Sequence, residues 1–320
     1  LSRVFWHLTI WAVVLGFALG LSLTLLCFRL IGSRNWKVSL FFSCSAAGIA
    51  TGVFILSVTL SKSSSWRAAC QVLAIVQILL CFLLFVVRHT ALRDVQEIMR
   101  KRRREILMER DAERKKLEKT AGQVDDRQAG AFLLRFIALY ISAACVSLLM
   151  LCACLWPGAC LTLQKGVHFD TASGIMFTCL GLASGRLLFG LLKLTPRKVW
   201  ALCTAFLAAV LLILLVLMQR GVVSAAGMKI FQMMAGFGMG PIFPNLLLID
   251  DARLDLENER SMTGLIPAFY IGAGAVITPF TQALVNSGAQ MSFPIWMLFL
   301  TAGMALCLML GTSFVRKRET

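Results

Sequence analysis

An all-α membrane protein with nine spanning helices is the fold class this sequence predicts, and three observations lead there. Apolar runs of about 20 residues recur along the chain, the length a helix needs to cross roughly 30 Å of hydrocarbon. Mean hydropathy is +0.80 and 58% of residues are hydrophobic, too little polar surface to coat a soluble domain of 320 residues. The runs are continuous and do not alternate in polarity, which excludes a transmembrane barrel.

In order, the runs place helices at about 4–28, 37–61, 66–87, 133–156, 170–193, 199–218, 223–249, 262–286 and 292–314. The first is too long and too weakly flanked for a signal peptide, and it follows Leu1 directly, so the chain reads as cut at its start. The third, sixth and ninth are the most uniformly apolar, and the sixth runs from Leu207 to Leu217 without a polar residue. A helix apolar all round faces lipid on most sides. The remaining helices carry Gly, Ser, Thr, Asn and Gln, which suit close packing and an aqueous cavity. A greasy helix at every third place divides the chain into three-helix repeats: 4–87, 133–218 and 223–314.

One polar stretch interrupts this rhythm. Residues 88–132 hold the run Arg100-Lys101-Arg102-Arg103-Arg104 and a second cluster, Arg114-Lys115-Lys116. They separate a first domain, 1–87, from a second, 133–320. Placing the connector in the cytoplasm puts 26 of the 32 basic residues on that side, with the N-terminus outside and the C-terminus inside. The net charge of +16 is thus accounted for by loop placement in a plasma membrane, and nucleic acid is not implied as a partner. Within the connector, Glu97/Lys101, Lys101/Glu105 and Asp111/Lys115 stand four apart, favouring a helix over about 92–119. It either lies on the anionic inner leaflet or forms a solvated linker.

Enzymatic chemistry finds no foothold. The eleven cysteines are scattered, mostly through apolar runs, and Cys152-Ala-Cys154 has no matching pair, so neither zinc nor a disulfide framework is indicated. His7, His89 and His168 lie far apart, and no hydrolase motif is present. No cofactor or metal is expected, and the chain is read as a non-enzyme.

Three stretches carry a resemblance. Gly185-Arg186-Leu-Leu-Phe-Gly190, followed by Arg197-Lys198, is similar to the loop motif between the second and third helices of each half of the major facilitator superfamily. Ser65-Trp66-Arg67 is similar to the entry of its sixth helix. Gly236-Phe-Gly238-Met-Gly240-Pro241-Ile-Phe-Pro244, then Thr263-Gly264 and Gly272-Ala-Gly274-Ala-Val-Ile-Thr-Pro279, resembles helices ten and eleven of its fucose permease branch. The resemblance implies an incomplete fold, three plus six helices around a central cavity, lacking the first three helices. A native nine-helix protein is the alternative.

Physically, Gly236, Gly238 and Gly240 let a neighbouring helix approach, and Pro241 and Pro244 free backbone carbonyls and bend the helix. The pattern serves either a gate or packing alone. Gly48 and Gly52 form another small-xxx-small pair, expected to pack. Arg186 is expected at the cytoplasmic end of its helix near Arg197 and Lys198. There it acts either as an inner latch, contacting the acidic cluster Asp250, Asp251, Asp255, Glu257 and Glu259, or as an ordinary loop charge.

The resemblance also implies an alternating-access transporter of a sugar or similar small polar solute, coupled to H+ and acting as a monomer. The cavity candidates it implies are His7, Trp11, Ser43, Ser45, Tyr140, Thr178, Gln232, Asn245, Tyr270 and Gln282. Ser43 and Ser45 are two apart, so at most one faces the cavity. Trp11 either stacks on a sugar or anchors at the interface. No Asp or Glu falls well inside a span. His7 is therefore the one titratable candidate for a proton site within the first helix. The rival reading is a non-transporting membrane sensor or degenerate paralogue with the same fold.

Overall fold

The computed structural model describes residues 35–63, 126–165, 170–192, 194–247, 265–274 and 293–313, together with 71, 72, 74–79, 82, 83 and 86. Among the described residues the structure is helical, with turns and no strand. The elements are α1 (Asn35–Ser63), α2 (Asp126–Lys165), α3 (Thr171–Leu191), α4 (Pro196–Gln219), α5 (Ala225–Met239), α6 (Ile242–Leu246), α7 (Leu265–Gly274) and α8 (Phe293–Ser313). Five stretches, Trp36–Thr59, Phe136–Pro157, Thr171–Leu191, Pro196–Gln219 and Phe293–Gly311, are long and apolar enough to cross a bilayer. The chain is an integral membrane protein. The expected span 4–28 lies outside the described residues, as do much of 66–87 and of 262–286.

Local chemistry sets the ends. Asp170 caps α3 by accepting from the amides of Ala172 and Ser173, and Ser224 caps α5 by accepting from that of Gly227. Pro196 opens α4, where its missing amide costs nothing. Gly221, at φ 65°, turns the chain between α4 and α5.

Two expected helices differ in the structure. The helix expected at 133–156 runs from Asp126 to Lys165, absorbing the end of the connector and continuing through Pro157. The helix expected at 223–249 is interrupted: α5 ends at Met239 and the short α6 begins at Ile242, because Pro241 and Pro244 supply no amide to the carbonyls four residues earlier.

The chain divides into two compact units, Leu1–Phe54 with Leu134–Thr320, and Ile55–Leu133. In the second, every described residue from 71 to 86 is exposed. All contacts described below lie within the first. There α2 is central, with 67% of its spanning window buried, against 33% for α4 and for α8. On α4 a single stripe (Val199, Cys203, Leu207, Val210, Leu214) is buried while Leu202, Leu212, Ile213 and Val216 face outward. On α8 the buried stripe is Met297, Thr301, Met304 and Leu308. Both helices are therefore peripheral, as their uniform apolarity predicts.

Candidate functional site

An extensive interface joins α3 and α5, and glycine makes it possible. A Cβ on Gly181 would collide with the carbonyl of Met233, and one on Gly185 with that of Phe237. In return, a Cβ on Gly236 would collide with the carbonyl of Thr178, and one on Gly240 would stand 2.6 Å from that of Leu182. Both helices thus present glycines four apart to each other's backbone, and the matched numbers rise together, so the pair is parallel. The intervening α4 must therefore run back between them. Gly238 faces the other way, toward Phe206 and Leu207 of α4.

This close approach brings Arg186 to the break between α5 and α6. Its Nε donates to the Gly240 carbonyl at 3.0 Å and its Nη1 to the Phe42 carbonyl of α1 at 2.7 Å. The Gly240 carbonyl is the one that Pro244, four residues on and lacking an N–H, leaves without a helical donor. The guanidinium lies over the Phe42 ring at 5.7 Å. Phe42 in turn meets Phe243 edge-on at 5.3 Å, and Phe243 packs on Tyr270 at 4.3 Å. Arg186 is only 7% exposed. Arg197 and Lys198 are exposed, whereas Arg186 turns inward to two backbone carbonyls. The acidic cluster between Asp250 and Glu259 lies outside the described residues.

Next to this contact, α1 approaches α3 through Gly190, where a Cβ would collide with the side chain of Ser39. Since Ser39 and Phe42 face Gly190 and Arg186, α1 and α3 are antiparallel. The same logic recurs on α2. Pro157 deprives the Ala153 carbonyl of its donor, and the buried Gln232 of α5 supplies one from Nε2 at 2.9 Å. The Oε1 of Gln232 and the indole N–H of Trp156 are buried without a hydrogen-bond partner among the described residues.

The other cavity candidates divide by what they touch. Ser43 and Thr178 are buried and donate to carbonyls four residues back, Ser39 and Gly174. Asn245 is buried as well and donates from Nδ2 to the Pro241 carbonyl at 2.7 Å, tying α6 to the break. Ser45 is exposed, so of the two serines only Ser43 faces inward. Tyr140 stacks on Phe269 at 4.6 Å, and Tyr270 donates its hydroxyl to the sulfur of Met150 at 3.2 Å. A Cβ on Gly274 would sit against Ser147 and Leu151, while one on Gly272 would meet no atom within 4 Å among the described residues. His7, Trp11, Pro279 and Gln282 lie outside the described residues. The structure thus gathers Arg186, Gly240, Pro241, Pro244, Asn245 and Tyr270 at one junction, while Ser45 and Arg197 are exposed.

Sequence reasoning missed three participants: Gly181, Ala153 and Phe42. Gly181 had a signal, since it stands four before Gly185. Ala153 had a weaker one, four before Pro157. Phe42 had none, because its acceptor is a backbone carbonyl, which any residue supplies, and its ring is one of many in the apolar runs. Compared with family models and with curated proteins, the chain shows no match.

Proposed function

We propose that this chain is part of a secondary transporter of the major facilitator type, moving a sugar or similar small polar solute by alternating access and coupled to protons. One observation carries the reading. A helix from before the basic connector, α1, docks on one from after it, α3, beside an interrupted helix, and the joint is made of glycine contacts and hydrogen bonds to backbone carbonyls. Such a joint can part with little repacking beyond the Phe42 ring, which is what alternating access asks of two rocking bundles. In this reading the solute is handled by polar groups on α1, α2, α3, α5 and α7, among them Ser43, Tyr140, Thr178, Gln232 and Tyr270.

The test is uptake. Reconstituted into proteoliposomes, the protein is expected to accumulate a sugar or polyol under an inward proton gradient and to lose that accumulation with a protonophore. No uptake across a panel of such solutes overturns the reading.

One observation favours a second reading, a non-transporting sensor or degenerate paralogue with the same fold. Among the described residues no Asp or Glu lies within a spanning stretch, and Ser43, Thr178 and Asn245 donate to carbonyls of their own segment instead of a cavity. Solute binding without uptake, measured by a thermal shift of the purified protein, is its signature.

A further inference from the structure

We propose that Arg186 is a tie that makes the state of the α5–α6 break depend on the docking of α1. The inference stands on the packing alone and holds whether or not the chain transports. The two bonds of the guanidinium are not equivalent. Phe42 lies within α1, where the amide of Ala46, four residues on, already serves its carbonyl, so the bond from Arg186 is an addition. The Gly240 carbonyl has no such amide, because residue 244 is proline, so there the bond replaces a missing one. Both are made by one rigid, planar fork whose donor directions are fixed relative to each other. While both persist, α1 cannot leave α3 without pulling on the carbonyl at the break.

Burial adds to the coupling. The Phe42 ring that covers the guanidinium and the Ser39 side chain that fits against Gly190 belong to the same face of α1. When α1 withdraws, Arg186 loses one acceptor and its cover together. Water then reaches a cation that had been buried, and it competes for the donor on which the Gly240 carbonyl relies. Docked, the break is satisfied from α3. Undocked, it is free to change its bend.

A mutant cycle on the full chain tests this. Arg186→Gln is expected to lower the Tm of the purified protein by roughly 2–12 °C, the range for leaving one buried polar group unsatisfied in a domain of this size. Pro244→Ala restores an amide to the Gly240 carbonyl, so the double variant Arg186→Gln/Pro244→Ala is expected to recover at least half of that loss. If Arg186→Gln alone gives no folded protein, the double variant is expected to restore it. Equal losses in both proline backgrounds, or no restoration, overturn the proposal. The second arm reads the α1 side. A Ser39→Cys thiol, followed by peptide mass after reaction with a membrane-permeant maleimide, is expected to react several-fold faster with Arg186→Gln, with or without Pro244→Ala. An unchanged rate overturns the coupling, and neither arm depends on uptake.

Discussion

Gly48 and Gly52 on α1 stand four residues apart, as do Gly181 and Gly185 on α3 and Gly236 and Gly240 on α5. The α1 pair, expected to pack, meets no atom within 4 Å among the described residues. The other two pairs are driven so deeply into one another that a methyl group on any of the four glycines would strike a backbone carbonyl. Identical spacing therefore marks only a surface that a neighbour could approach. Close approach needs a partner with the same spacing, offset so that each glycine finds a carbonyl.

The widest test of this contrast substitutes the interlocked glycines. Gly181→Ala or Gly236→Ala is expected to cost about 3 kcal/mol in a detergent-unfolding titration, the upper end of overpacking, because the obstructing atoms are backbone and cannot rotate away. A loss below about 0.5 kcal/mol would mean that the helices are not so close. Gln232→Leu sharpens the picture from the polar side of α5. It leaves the Ala153 carbonyl buried without its donor and is expected to cost about 1–3 kcal/mol, a loss that Pro157→Ala should reduce. Gly238→Ala falls between the extremes. Its Cβ would stand 3.1 Å from a ring carbon of Phe206, which can give way, so about 1 kcal/mol is expected. At the far end, Gly48→Ala is expected to stabilise α1 by about 0.5–1 kcal/mol, since alanine is the better helix former and no described residue obstructs it.

How much of this was legible in the sequence follows the same division between local and distant. Helix positions were readable because hydropathy is a property of consecutive residues, and the peripheral place of α4 and α8 followed from their lack of polar groups. The interruption near Gly240 was readable as a bend, since Pro241 and Pro244 act on carbonyls only four residues away. The direction of Arg186 was not. Next to Arg197 and Lys198 it looks like a loop charge, and its two acceptors lie 54 and 144 residues distant along the chain. Nothing local distinguishes a buried cation that feeds a proline-starved carbonyl from one that meets water. Likewise, Gln232 reads as a polar group in search of a solute until Pro157 is seen opposite it.

The parallel seam between α3 and α5 repeats itself once per helical turn, and that periodicity has a geometric outcome. Sliding α5 along its axis by four residues, about 6 Å, would set Gly236 opposite the Leu182 carbonyl and Gly185 opposite that of Met233, so the groove would still find a hydrogen where it needs one. Helices locked by leucine knobs have a single seat. The spacing of these two would admit a second notch one ratchet step away.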